Sequence, residues 1–239
     1  MSMTEGVFRK PRLKTNELLR RHASLFSGDI INVSGSSDSD KDCSLADYYL
    51  GDYDSGNRYR DYFPFATSYI VSNYPKDETP IDLPPEEQLD LDLEADLPNE
   101  LKNRFDVVFN HTVLEHVFNI FKGFNNLCEM SRDIVILVVP QAQQIHDYGR
   151  GYADYWRMTP FSIEKLFTAN QFTVLFREAT VGWSESIYLF YIATRNPEKW
   201  RSHFAELPNT SDFITNRNSG ARLTLLSHWH LRFDQLVRK

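Results

Sequence analysis

The polar residues of this chain are best equipped for proton transfer near neutral pH. His146 stands six residues beyond the apolar run Asp133–Pro140, with Asp147 beside it and Arg150 near. An imidazole in such a loop can accept a proton at physiological pH. His111 is a second candidate, because it follows directly on the β-branched and aromatic run Phe105–Asn110. Glu115-His116 reads mainly as a structural pair, with the acid favoured at a helix start. Asp154, Tyr155, Trp156 and Arg157 could line a pocket, with two aromatic faces suited to a sugar ring. Metal chemistry has no support in the spacing: neither H-x-x-x-H nor H-E-x-x-H occurs, and His228-Trp229-His230 is too tight for a helical pair. A serine nucleophile would want G-x-S-x-G, which is absent. The two cysteines, Cys43 and Cys128, have no partner signature.

These residues need elements to hold them. The first predicted element is a helix from about Asn16 to Phe26, capped by Thr15 or Asn16, with Leu18, Leu19, His22, Leu25 and Phe26 on one face. Ser27-Gly28 breaks it. Asp29–Val33 reads as a strand and Ser34–Ser37 as a tight loop after it. Residues 42–67 carry no clear period. Tyr69–Val71 is a second strand, ending at Ser72-Asn73-Tyr74-Pro75. The alternation Leu89–Leu93 predicts a strand with one wet face. Phe105–Asn110 reads as buried strand, and Val117–Met130 as helix, from the spacing of Val117, Ile120, Phe121, Phe124, Leu127 and Cys128. Asp133–Val139 should be a central strand stopped by Pro140. Thr159-Pro160 opens a helix that Asn170 could end in the left-handed conformation. Strands at Phe172–Phe176 and Ile187–Thr194 follow, then a final helix near Leu223–Val237.

Strand and helix alternate, which predicts an α/β sheet with helices on both faces. Ligands in such sheets sit beyond the carboxyl ends of the strands. That rule selects Ser34–Ser37, Asn73-Tyr74, Asp96-Leu97, Asn110-His111-Thr112 and Gln141–His146.

Composition narrows the class. The chain has 239 residues, of which 41% are hydrophobic, enough for a sizeable core in one domain with a small appendage. The expected layout is a basic arm and helix over 1–28, a main domain over 29–194 and a helical extension over 195–239. No apolar run is long enough for a bilayer, the start does not read as a signal peptide, and two cysteines suit a reducing cytoplasm. The net charge of −7 argues against a broad nucleic-acid face. Six basic residues between Arg9 and Arg21, and ten acids without Lys or Arg from Asp77 to Glu100, read as solvated surface.

Three segments in order resemble the class I S-adenosylmethionine-dependent methyltransferases. FDVVFNHTVLEHV (Phe105–Val117) looks like the fourth strand and following helix start of that superfamily. Ala95-Asp96-Leu97-Pro98 looks like its acidic-residue-then-LP segment after the third strand. Val139–Phe167 is similar to a stretch of small bacterial methyltransferases in which a histidine loop precedes a Tyr-Trp-Arg-x-Thr-Pro helix start. The resemblance covers roughly 29–194. It implies a Rossmann-like three-layer sandwich whose seven-stranded, mostly parallel sheet has an antiparallel last strand.

The resemblance also implies S-adenosyl-L-methionine as cofactor, held by Asn32, Ser34, Gly35, Ser36, Asn73, Asp96, Leu97 and Asn110, with Asp96 on the adenine amino group. It departs from the family where a glycine-rich loop is normal, since Gly35 is the single glycine there. It departs again where a ribose-binding carboxylate is normal, since Asn73 stands there. Carried onto this chain, the catalytic residues would be His146 as base with Asp147, and His111. Tyr148, Arg150, Tyr155, Trp156 and Arg157 would meet the substrate, and no metal is implied. The implied activity is O-methylation of a sugar in bacterial surface-polysaccharide assembly, by a cytoplasmic enzyme with a small-molecule or sugar acceptor and a possible homodimer. Two alternatives stand beside it: a chain of this fold that has lost methyl transfer and binds or modifies sugars otherwise, and an N-methyltransferase.

Overall fold

β-Branched and aromatic runs bury best as strands, and here they assemble into one sheet. The computed structural model describes residues 11–35, 38–40, 57–77, 83–142, 145, 153–180 and 187–211. Within them lie β1 (Ser27–Val33), β2 (Phe65–Asn73), β3 (Gln88–Asp90), β4 (Phe105–His111), β5 (Ser131–Ala142), β6 (Thr173–Ala179) and β7 (Ile187–Thr194). Their spatial order is β3-β2-β1-β4-β5-β7-β6. The first five run parallel, while β7 is antiparallel to both β5 and β6. The helices are α1 (Pro11–Ala23), α2 (Ile120–Met130), α3 (Pro160–Ala169) and the short α4 (Pro197–Trp200). This is the mixed seven-stranded Rossmann-like sheet that the sequence implies. Among the described residues no helix is long and apolar enough to cross a membrane.

Period-2 alternation sends each strand's side chains to two cores. On one face Ile31, Val108, Val135 and Leu137 pack with Phe124 and Leu127 of α2 and Phe167 of α3. On the other, Ile30, Val107, Ile136 and Phe190 pack with Leu18 and Leu19 of α1 and with Tyr59, Phe63 and Trp200.

Several boundaries differ from expectation. Helix α1 starts earlier, so Thr15 and Asn16 are not caps but buried interior residues. Polar partners make that possible: Asn16 Nδ2 donates to the Asp40 carbonyl at 2.8 Å and its Oδ1 accepts from Tyr59 Oη at 3.0 Å. Arg12 belongs to the same helix and donates to Thr112 Oγ1 at 3.1 Å, so the helix's basic residues are not all solvated surface. Strand β3 stops at Asp90. Leu91 and Leu93 are buried in the turn that follows, where Asn126 Nδ2 holds the carbonyls of Leu93 and Ala95, each at 2.9 Å. Strand β5 continues past Pro140, because β4 pairs no further than His111 with Val138 and Pro140 then faces only β7. A missing amide hydrogen costs little beyond a neighbour's end.

Helix α3 starts as expected. Thr159 Oγ1 accepts from the Ser162 amide at 3.3 Å, and Ser162 Oγ accepts from the Thr159 amide at 3.1 Å. Its end differs: Asn170 keeps φ −96° because its Nδ2 donates to the Leu166 carbonyl at 2.9 Å, and the left-handed residue is Gln171 at φ 63°. The helix expected near Leu223–Val237 lies outside the described residues.

Gly28 has φ 95°, and a Cβ built there would lie 2.7 Å from the carboxyl carbon of Asp106. Gly28→Ala is therefore expected to destabilise the fold by about 1–3 kcal/mol. Urea unfolding measures it, and a loss below a few tenths would refute the strain.

Candidate functional site

The topology reverses between β1 and β4, since β1 leads outward to β2 and β4 leads the other way to β5. Ligands of open α/β sheets lie above such a point. A cleft of about 510 Å³ opens there, a size that suits a small ligand.

Its walls come from successive strand ends. After β1, Ser34 takes φ 57° and donates its amide to Ser72 Oγ at 3.0 Å. Gly35 follows, tight over Asn32: a Cβ there would lie 2.6 Å from the Asn32 side-chain carbon Cγ. Asn32 itself is buried and turned away from the cleft, with Nδ2 donating to Asp38 Oδ1 at 2.7 Å. Asp38 also accepts from Tyr69 Oη at 2.8 Å and from the Arg60 amide at 3.2 Å. Its burial pushes the carboxyl above the usual range, against those donors.

Asn73 ends β2, and Tyr74 and Asp77 follow, all on the cleft wall. Asn73 Nδ2 donates to the Asp77 carbonyl at 3.3 Å. Beyond β3 lie Leu91, Asp92, Leu93 and Glu94. The Glu94 carboxylate accepts from the Phe118 and Asn119 amides at 3.0 and 3.2 Å, which fixes the approach to α2. Past β4, Thr112 turns at φ 52° and leads to Val113, His116 and Val117 on the opposite wall. Tyr155 closes the rim, its amide donating to the Glu115 carbonyl at 2.7 Å.

Other expected site residues lie off the wall. Asn110 is fully buried, with Nδ2 donating to the Val33 carbonyl at 3.3 Å, so it ties the ends of β4 and β1 together. Asp96 is exposed and pairs with Lys122 at 2.7 Å, while Leu97 sits in the core. His111 lies on the α1 side of the sheet: Nε2 is 3.0 Å from Thr15 Oγ1 and Nδ1 is 3.1 Å from Thr112 Oγ1. Burial, with the Arg12 charge, holds its pKa well below the usual imidazole value, so the ring is neutral. Trp156 sits one layer outside the cleft, donating Nε1 to the Val117 carbonyl at 2.9 Å, and Arg157 pairs with Asp154. Ser36, His146, Asp147, Tyr148 and Arg150 lie outside the described residues.

The turn after β4 holds what the sequence reading undervalued. His116 Nδ1 lies 3.2 Å from the Ala153 carbonyl and 3.4 Å from Asp154 Oδ1, and its Nε2 is 4.0 Å from Glu115 Oε1. Glu115 is buried, and its Oε2 has no hydrogen-bond partner among the described residues. Burial, reinforced by the Asp154 charge, pushes its carboxyl up to about 8. The signal was present in Leu114-Glu115-His116, but an acid at a helix start has a sufficient structural reading.

No family model matches the chain, and no curated protein matches it. Solved structures do. The chain is similar to the Burkholderia thailandensis 1,6-didemethyltoxoflavin-N1-methyltransferase, with 13% identity, 77% of each chain covered and a TM-score of 0.50. It is similar to an S-adenosylmethionine-dependent methyltransferase from Mesorhizobium loti, with 11% identity, 75% and 96% covered and a TM-score of 0.50. A third match is in the complex between the Haloferax volcanii Trm112 methyltransferase activator and a protein described as a methyltransferase, with 10% identity, 77% and 90% covered and a TM-score of 0.53. Strand order, the antiparallel β7 and these matches agree that the chain has the class I S-adenosylmethionine-dependent methyltransferase fold.

Proposed function

We propose that this chain is an S-adenosylmethionine-dependent methyltransferase that uses the cleft for its cofactor and methylates a hydroxyl of a small, ring-bearing acceptor such as a sugar. One observation carries the reading: the cleft stays open at the topological switch point although serine replaces glycine in the loop after β1. Its chemistry fits a charged nucleoside. Asn73, Tyr74 and Asp77 offer polar groups at the end of β2, where the ribose would be held. Leu91, Leu93, Val113 and Val117 offer apolar walls for the base. Ser34 and Gly35 shape the floor, and Asn32 and Asn110 support it from beneath.

The bound cofactor would supply an electrophilic methyl group. What the chain contributes is placement and water exclusion, which can account for a large part of a transfer barrier. Tyr155 at the rim, with Trp156 and Arg157 behind it, supports a ring-shaped acceptor. Residues 29–194 would form the catalytic unit. The flanking parts join it through Arg12, which donates to Thr112, and through Trp200, whose Nε1 donates to Asp133 Oδ2 at 3.0 Å.

A second reading, a chain of this fold that has given up methyl transfer, is favoured by one observation: the Ser34 amide is already spent on Ser72. A thermal-shift titration with S-adenosylhomocysteine separates the two. Ligand at 100 times its dissociation constant should stabilise by about 2.7 kcal/mol. For a chain of this size that is roughly 5–10 °C in Tm. No shift at millimolar ligand, with native circular dichroism, overturns the first reading.

A further inference from the structure

We propose that the aromatic rim outside the cleft binds an apolar tail of the acceptor, so that the acceptor is an amphiphile whose polar ring enters the cleft while an aliphatic chain lies along the rim. The proposal rests on the methyl-transfer reading above and adds the tail to its ring-bearing acceptor.

The rim grows out of the cleft wall. Tyr155 lines the cleft and is 47% exposed. Its ring meets that of Phe118 edge-on, with centroids 5.3 Å apart. Trp156 joins them, because its Nε1 donates to the carbonyls of Val117 and Phe118 at 2.9 and 3.2 Å. Phe121 follows in the first turn of α2. Phe118 is 65% exposed, Phe121 70% and Trp156 38%. Scattered apolar residues on a surface need no explanation, but large rings gathered in one place mark a binding surface. This one is preformed: the Glu94 carboxylate holds the Phe118 amide at 3.0 Å, and the indole is fixed by its two carbonyls.

Its chemistry selects the ligand. The phenylalanine rings carry no polar atom, and the one polar atom of the indole is spent on backbone, so these three side chains offer only carbon. The charges nearby are engaged: Glu94 accepts the amides of Phe118 and Asn119, and Lys122 pairs with Asp96 at 2.7 Å. An ionic headgroup would have to compete with those pairs. A sugar ring would leave its hydroxyls unpaired over Phe118 and Phe121, which costs free energy, whereas an aliphatic chain loses nothing there. Position selects the ligand too. A cleft of about 510 Å³ suits one ligand of nucleoside size, so with the cofactor in place the body of the acceptor lies at the mouth. Tyr155 belongs to both mouth and rim, and a chain attached to the acceptor's ring leaves past it over Phe118 and Trp156.

The test uses the full chain and the n-alkyl β-D-glucosides from methyl to octyl, below their micelle-forming concentrations, with and without saturating S-adenosylhomocysteine. Calorimetry reads the Kd of each. Full burial of a methylene is worth about fourfold in affinity, and an open rim that buries about half of each gives roughly twofold per carbon. The octyl glucoside should therefore bind about 100-fold more tightly than the methyl glucoside. Phe118→Ser with Phe121→Ser should reduce that gain to less than tenfold. Neither residue lines the cleft, so the Kd of S-adenosylhomocysteine should stay within about threefold. Phe121→Ser alone, which changes only the most exposed of these rings, should cost the octyl glucoside at least threefold and serves where the pair unfolds. Affinity that does not rise with chain length overturns the proposal, and so does a rise that both variants keep. A wild-type dimer that the variants dissolve would put a second copy on the rim. Wild-type binding to phosphatidylcholine vesicles that the variants lose would put a bilayer there. Either result overturns the proposal as well. Failure of S-adenosylhomocysteine to bind overturns the methyl-transfer reading instead, and the series without that ligand still decides the rim.

Discussion

Alanine at Asp38 is expected to destabilise the protein by about 3–5 kcal/mol, the summed cost of leaving buried neutral donors unpaired. The carboxylate collects three donors: Asn32 Nδ2 at 2.7 Å, Tyr69 Oη at 2.8 Å and the Arg60 amide at 3.2 Å. Removing it leaves buried donors without partners, each costing about 1–3 kcal/mol. Tyr69 cannot compensate by ionising, because burial, the largest cause of its raised pKa, remains when the Asp38 charge is gone. Function should fall as well. Asn32 supports Gly35 and so the cleft floor beside Ser34. Affinity for S-adenosylhomocysteine should therefore drop at least tenfold even where the variant is folded. Urea unfolding and calorimetry measure the two effects, and a double-mutant cycle with Asn32→Ala isolates their coupling. A stability loss under 1 kcal/mol would mean that apolar packing alone, not this polar network, holds the loop.

The same network explains what the sequence could and could not disclose. Elements with a clean apolar period, such as β4, α2 and β7, were legible because burial selects the period directly. The local pattern places the start of α1 too late because Thr15 and Asn16 are polar yet buried. Asn16 reaches Asp40, and Thr15, besides its local bond to the Arg12 carbonyl, reaches His111; no local pattern announces a partner so far along the chain. The site shows the same division. The strand-end rule selects the edge of the sheet at which the cleft opens, and Ser34, Asn73, Tyr74 and Thr112 line it. The third segment slipped, because the alternation Leu89–Leu93 lengthened β3 beyond its end at Asp90. The post-strand wall is therefore Leu91–Glu94, and Asp96 and Leu97 fall beyond it. Asn32 and Asn110 hold predicted positions but turn inward, since side-chain direction at a strand end depends on partners that only the fold supplies.

Glutamine at Glu115 is expected to raise stability at pH 8 by roughly 2–5 kcal/mol and to leave it nearly unchanged below pH 4.5. The sign follows from the raised carboxyl. The folded chain keeps the Glu115 proton up to about pH 8, while the unfolded chain releases it near 4.5. Across that window the folded state binds the extra proton, so stability falls as pH rises. Glutamine has the same shape and cannot ionise, so it removes the decline. His111 works in the opposite sense. Its folded pKa is depressed, so the stability it contributes is present above the unfolded value of 6.5 and is lost as pH falls. His22, half-buried and beside Arg21, adds to that acid-side loss. Between pH 4.5 and 6.5 the carboxyl and the imidazoles therefore oppose one another, and above 6.5 the decline belongs to Glu115. The wild type should be most stable near pH 6.5, and Glu115→Gln should stay level from 6.5 to 8. Urea unfolding at pH 5, 6.5 and 8 distinguishes the curves. Parallel declines in the two proteins would show that the Glu115 proton is not held into the alkaline range, and that the Asp154 charge beside it is offset by the arginines from the start.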